Sequence, residues 1–157
     1  MAITVTYLEL TDSAQLKPPE SAPSVAYQLE QVTDPALGRW FYERIGERHQ
    51  WVDRLGWPDE RWAEWARTTE GWMATVDGER AGYFSLRLHD DPVEIDIFGV
   101  LPEYQGTGLG GELLTRALRR GLELGDRVWL HTCTLDAPAA LPNYQARGMR
   151  ITRTEQR

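Results

Sequence analysis

Cysteine is nearly absent. Cys133 is the single one in 157 residues, so no internal disulfide can form and a reducing cytoplasm is the simplest expected setting. No apolar run approaches the roughly 18 residues of a membrane-spanning helix, and the first residues lack a basic stretch followed by an apolar one. The expectation is a cytoplasmic protein, neither exported nor membrane-embedded. Three scattered histidines and one cysteine offer no zinc-like ligand spacing, which argues against a metal centre. Basic side chains are the minority, 17 Lys and Arg against 24 Asp and Glu, for a formal net charge of −7. Such a surface repels nucleic acid and anionic membrane and mildly attracts cationic substrates. The chain has no internal repeat and no low-complexity tract, which excludes solenoids and other repeat arrays.

What remains is an ordinary globular composition, 41% hydrophobic and 26% charged, in a length that suits one domain over residues 1–157. Ile3 to Leu10 and Val25 to Val32 read as strands, separated by an irregular stretch with Pro18, Pro19 and Pro23. Asp34-Pro35 predicts a helix start, carboxylate as cap and proline in the first turn, followed by Leu37, Trp40, Phe41 and Ile45 at helical spacing. Gly56 and Pro58 stop this helix, and Asp59 can cap a second through Trp62 and Trp65. Six of the seven tryptophans lie between Trp40 and Trp72, the strongest local bias in the chain. Asp77-Gly78 between Trp72–Val76 and Ala81–Leu88 signals a hairpin, whose link is two residues or somewhat longer. Val93 to Val100 is the next strand, then a glycine-rich loop and a helix with Leu109, Leu113, Leu114, Ala117, Leu118 and Leu122 on one face. Arg127 to Thr134 is a strand, Ala137 to Arg147 a helix ended by Gly148, and Ile151 to Thr154 a short strand. Strands mixed with helices in this order predict an α/β (α+β) sandwich, a mixed sheet with helices on both faces.

The loop itself, Gln105-Gly106-Thr107-Gly108-Leu109-Gly110-Gly111, carries the most functional information. Four glycines in seven residues let the backbone turn tightly and approach a ligand closely. The helix that follows aims unpaired N–H groups and the positive end of its dipole at that turn, a setting that suits phosphate. Gly106-x-Gly108-x-x-Gly111 formally matches a dinucleotide fingerprint, with Asp126 near the place of the ribose-binding acid. However, five residues separate the strand from the first glycine, and too little chain follows to complete a doubly wound domain. The same residues also read as Gln105-x-x-Gly108-x-Gly110, preceded by Val100-Leu101-Pro102-Glu103-Tyr104. In this form the loop resembles the acyl-coenzyme A loop of the GNAT superfamily of N-acetyltransferases. Ala140 to Met149, an aromatic-containing helix with Asn143 and Tyr144 ending in Gly148, resembles the superfamily's second signature in the correct order. The resemblance covers Val93 to Ile151, and only the general layout before Trp72.

The resemblance implies a V-shaped sheet in which the Val93–Val100 strand splays from the Arg127–Thr134 strand and pantetheine enters the gap. It implies acetyl-coenzyme A as co-substrate, with its pyrophosphate on the amides of Gln105, Gly106, Thr107, Gly108, Leu109, Gly110 and Gly111. Phe98, Gly99 and Val100 would offer main-chain groups to pantetheine and the acetyl carbonyl, where an amide can serve as oxyanion donor. Asn143 would hydrogen-bond the coenzyme, and one of Arg116, Arg119 or Arg120 would reach its 3′-phosphate. The implied activity is direct acetyl transfer, in a ternary complex, to a primary amine of a small molecule or peptide. A non-catalytic acyl-coenzyme A sensor and a dinucleotide enzyme are the alternatives.

Acetyl transfer needs a base for the amine and profits from an acid for the thiolate. Alternation in Val93-Glu94-Ile95-Asp96-Ile97 puts both carboxylates on one sheet face and the three β-branched residues on the other. Glu94 leads as base, directly or through water, with Asp96 and His131 as alternatives. Tyr144 corresponds to the superfamily's frequent general acid. Trp129, His131 and Cys133 share a strand face, where Cys133 is read as an apolar filler. His49, Trp51, Asp53, Arg54 and Trp57 are candidates for an acceptor pocket, with Asp53 to hold an ammonium group. Gln105 stands where arginine is commoner, leaving one charge fewer near the phosphates. After Gly148 only one strand fits where the superfamily often has a hairpin, so the acceptor side is expected to be built differently, and a homodimer stays open.

Overall fold

The computed structural model describes residues 2–49, 51–88 and 92–157. Among the described residues seven strands form one sheet: β1 (Thr4–Leu10), β2 (Gln28–Val32), β3 (Thr69–Val76), β4 (Glu79–Arg87), β5 (Val93–Val100), β6 (Val128–Cys133) and β7 (Arg150–Gln156). Their order is β2-β3-β4-β5-β6-β1-β7. Every pairing is antiparallel except β5 with β6. Helices α1 (Pro35–Gly46) and α2 (Asp59–Arg67) cover one face, and α3 (Leu109–Leu124) and α4 (Ala140–Ala146) the other. None of the described helices is long and apolar enough to cross a membrane.

Local chemistry accounts for most of these elements. The Asp34 carboxylate accepts the Ala36 N–H at 2.9 Å and starts α1 behind Pro35. Asp59, in contrast, is not the cap of α2. Pro58 holds that position, and Asp59 sits inside the first turn with its carboxylate 3.1 Å from Arg39. The β3–β4 link is two residues long: Val76 pairs with Glu79, and Asp77 and Gly78 take φ of 53° and 79°, the paired positive values a tight hairpin turn demands. The apolar stripe of α3 is buried, with Leu109, Leu113, Leu114, Ala117 and Leu118 inaccessible to solvent. The β2 strand starts at Gln28 rather than Val25, because Val25 turns into a small cluster with Val76, Ala81 and Leu109 while Ser24 bonds the glycine loop. Similarly, α4 begins at Ala140 rather than Ala137, after a turn over 134–139.

Two tertiary features depart from the strand-by-strand reading. The strand beside β6 comes from the start of the chain: β1 inserts between β6 and β7 and pairs with both, Tyr7 facing His131 on one side and Arg153 on the other. A single strand after Gly148 therefore suffices to extend the sheet, and β7 runs over Arg150–Gln156, longer than expected. The second departure is a bulge in β5. Between the pairs Leu86–Ile95 and Phe84–Phe98, β5 carries one extra residue, and the Ile97 N–H donates to the Ser85 hydroxyl at 3.0 Å. Val93 and Ile95 consequently pack with α3, while Ile97 packs with α1 and α2. The expectation that all three β-branched residues share a face fails at this point, because a bulge inverts the alternation.

The candidate active site

The β5 and β6 strands pair only at Val93–Val128 and Glu94–Trp129 and then diverge. The gap opens into a cleft of about 510 Å³, within the usual range for small-molecule sites. Phe98, Gly99 and Val100 line one wall, and Asn143 and Tyr144 with the turn 136–140 line the opposite one. Gln105, Gly106, Gly108, Gly110 and Gly111 close one end, and Ile45, Arg48, His49 and Trp51 complete the enclosure. The structure thus brings together most of the residues proposed for the coenzyme. Thr107 and Leu109 contribute no lining side chain: the Thr107 hydroxyl donates to the Tyr104 carbonyl at 2.5 Å and accepts the Leu109 N–H at 3.3 Å, and Leu109 is core.

The loop conformation depends on glycine at two positions. Gly106 and Gly108 have φ of 81° and 85°, a region side chains other than hydrogen disfavour. Gly108 is the residue before α3, so the Gly110 and Gly111 amides of the first turn have no acceptor within the helix and lie along the cleft wall. The Asn143 carboxamide donates to the Gly110 carbonyl at 3.4 Å, tying α4 to this turn. One turn further on, Arg147 reaches the same place: its Nη1 lies 3.0 Å from where a Cβ on Gly111 would stand. Its Nε is buried without a hydrogen-bond partner. The three arginines expected near the phosphates are not at the cleft. Arg120 forms a bidentate pair with Glu70 at 2.6 and 3.0 Å, Arg116 donates to the Tyr27 hydroxyl, and Arg119 borders a separate depression beside Leu16 and Pro18. Arg147 was legible in principle, since it stands four residues after Asn143 on one helix face.

The titratable candidates divide by environment. Glu94 is only 8% exposed, beside Arg87 and Trp129 in the sheet. Burial first, and then the Asp96 charge, push its carboxyl up to about 7 against the pull of Arg87 and Arg54. Asp96, whose side chain is 4% exposed, behaves oppositely. Burial opposes its charge, yet two bonds from Arg54 at 2.8 and 2.6 Å and one from the Trp65 indole at 2.7 Å hold it below the usual carboxylate range. Asp96 is thereby ionised and occupied. His131 stands on the open face of β6, still exposed, and the packing of neighbouring groups such as Tyr7 and Trp129 strips only part of the water from its ring, which, partly offset by Asp136 and Asp96, sets its pKa below the ordinary value. Tyr144 is buried, edge-on to Phe98 at 6.2 Å. Burial, then the Asp136 charge, keep its phenol protonated well above neutral pH.

Of these four, only Tyr144 lines the cleft; Glu94, Asp96 and His131 lie on the α1–α2 side of the sheet, outside the lining. In the expected acceptor region, His49 and Trp51 reach the cleft, Arg54 is committed to Asp96, and Trp57 is stacked under Arg54 and Arg61. Asp53 is exposed and does not line the cleft, which removes it from the expected ammonium site. Asp136 was not singled out from the sequence. It lines the cleft and accepts from Thr132, from the Cys133 N–H and from the Trp51 indole. Among the described residues no cluster of three or more His, Cys, Asp or Glu could hold a metal ion.

Residues 36–149 match the model of the acetyltransferase (GNAT) family. The mycothiol acetyltransferase of Corynebacterium aurimucosum is 32% identical over 128 residues, covering 74% of this chain and 38% of that protein. That of Corynebacterium efficiens is 26% identical over 124 residues, covering 75% and 42%. The chain thus spans about two fifths of the length of these curated relatives. Among solved structures, a putative GNAT-family acetyltransferase from Novosphingobium aromaticivorans superposes with a TM-score of 0.64 at 18% identity, covering 99% of this chain and 63% of that one. An aminoglycoside acetyltransferase from an uncultured soil metagenomic sample gives 0.61 at 17% identity, covering 77% and 86%. At such identities these two establish the fold alone. With the glycine loop, the splayed strands and the Asn143–Tyr144 helix all in place within the matched residues, the chain belongs to the GNAT family of acetyltransferases.

Proposed function

We propose that this chain catalyses transfer of an acetyl group from acetyl-coenzyme A to a primary amine, directly and in a ternary complex. The observation that carries the reading is the cleft between diverging β5 and β6, with the first turn of α3 and its left-handed glycines at one end and Tyr144 on the wall. The coenzyme supplies an acetyl group activated as a thioester. The Gly110 and Gly111 amides and the positive end of α3 bind its phosphates, and Arg147 adds the positive charge that Gln105 does not. Main-chain groups of Phe98 to Val100, unpaired toward β6, orient the acyl end and offer an N–H to a carbonyl oxygen gaining negative charge.

Glu94 takes the amine proton through water, since it lies outside the cleft lining; a carboxyl near 7 is matched to that task at neutral pH. Tyr144 holds its proton at neutral pH and delivers it to the departing thiolate. Asp96 positions Arg54 and Trp65 rather than acting as the base. The names of the relatives make small-molecule amines the first acceptors to screen. Two measurements test the proposal: thermal shift with acetyl-coenzyme A against NAD, and thiol release over a panel of amines. Stabilisation by acetyl-coenzyme A together with amine-dependent thiol release is expected. Stabilisation without release from any amine would leave a coenzyme-binding module, and stabilisation by NAD alone would refute the reading.

A further inference from the structure

Trp51 and Asp136 are 85 positions apart and meet across the cleft, the indole N–H donating to the carboxylate at 2.9 Å. Each is anchored on its own side. Trp51 donates its backbone N–H to the Gly46 carbonyl at the end of α1 and its ring leans on Tyr42 at 5.7 Å. A Cβ on Gly46 would fall 2.4 Å from the Trp51 Cβ, so only glycine lets the ring seat there. Across the gap, the second oxygen of Asp136 is held by the Thr132 hydroxyl and the Cys133 N–H, which aims the first at Trp51. A carboxylate fixed by two donors and meeting a third is a charge-assisted, geometrically determined link.

The position of this link is informative. Ile45, next to Gly46, packs within 2.7 Å of where a Gly99 side chain would begin, and Asp136 is near enough to Tyr144 for its charge to act on the phenol. The bond therefore joins the side of the cleft that carries Gly99 to the side that carries Tyr144, the two groups placed about the acyl end in the acetyltransferase reading. From this geometry we infer that the Trp51–Asp136 bond is a tie roofing the acyl end, with Trp51 as a positioning residue that keeps bulk water off the thioester and fixes the approach of the amine. The inference rests on the acetyltransferase reading above. A water-excluding roof matters because water attacking the acetyl carbon releases acetate and the free coenzyme thiol, a wasted turnover.

Trp51→Phe keeps an aromatic ring and removes the donor, and Asp136→Ala removes the acceptor. In both variants thiol release without amine should rise at least about fivefold relative to transfer, and KM for the amine should rise, while stabilisation by acetyl-coenzyme A stays as in the parent protein. An unchanged ratio of hydrolysis to transfer in folded Trp51→Phe overturns the inference. Hydrogen exchange gives a readout that needs no activity: amides of residues 51–57 should exchange several-fold faster in Asp136→Ala, although the change lies on the other side of the cleft. Unchanged exchange there overturns the tie itself. Failure of the parent protein to bind acetyl-coenzyme A would instead count against the acetyltransferase reading, with the exchange result still judging the tie.

Discussion

Replacing Glu94 by Gln tests burial and catalysis at once. With its carboxyl held at about 7 instead of the ordinary 4.5, Glu94 disfavours its charged form by about 3 kcal/mol in the folded protein. The sign follows from linkage. Below about pH 4.5 the group is protonated both folded and unfolded and contributes no difference. As pH rises from there to 7 the unfolded chain loses this proton first, so stability drains away, and above 7 the full cost is present. Gln is neutral at every pH and removes that fall. The stability difference between variant and parent, from urea unfolding at pH 4, 6 and 8, should therefore move in favour of the variant by about 3 kcal/mol between the extremes. For a chain of this size that is roughly 6–12 °C in Tm. Activity should respond in the opposite way. A base titrating at about 7 gives the parent a kcat/KM that falls tenfold per pH unit on the acid side, and the variant should lose this limb with a rate drop of about 10²–10⁴. A pH-independent stability difference would refute the desolvated carboxyl. An acid limb surviving in Glu94→Gln would refute its role as base and pass the role to His131, since Asp96 is held ionised by Arg54 and Trp65.

Tyr144→Phe keeps the ring against Phe98 and removes the proton, so kcat should fall about 10²-fold or more with coenzyme binding unchanged; an unaltered kcat with a good acceptor removes Tyr144 from the acid role. Arg147→Ala should raise KM for acetyl-coenzyme A by roughly 10- to 100-fold, the worth of a charged hydrogen bond, and leave acetyl-pantetheine, which lacks the phosphates, unaffected. Equal losses on both substrates would contradict a phosphate contact. Arg54→Met strands the Asp96 carboxylate, whose ion-pair partner is only 17% exposed, and should cost about 3–5 kcal/mol in urea unfolding; a cost below about 1 kcal/mol would show that the pair is not a buried one.

Local chemistry explains which parts were readable in advance. Asp34-Pro35, Asp77-Gly78, the leucine stripe of α3 and the glycines of the 105–111 loop act within a few residues, through caps, positive φ and helical period, so their residue types announce their conformations. For the same reason the cleft lining from the glycine loop and from the helix with Asn143 and Tyr144 was legible as two contiguous stretches. Glu94 and Asp96 were legible as a pair on one strand face. Their opposite fates were not, because the difference lies in Arg54 and Trp65, which come to Asp96 from 42 and 31 positions away.

The sequence alone determined the family, the strand and helix types and the glycine loop that opens α3. Tertiary structure decided the rest: that β1 supplies the strand beside β6, that a bulge turns Ile97 away from Ile95, that Arg147 rather than Arg116, Arg119 or Arg120 reaches the α3 N-terminus, and that Trp51 meets Asp136 over the cleft. Each of these is a contact between distant segments or, in the bulge, a register set by a neighbouring strand. Their energies depend on which surfaces the folded core brings together, and residue order does not encode that in any short window.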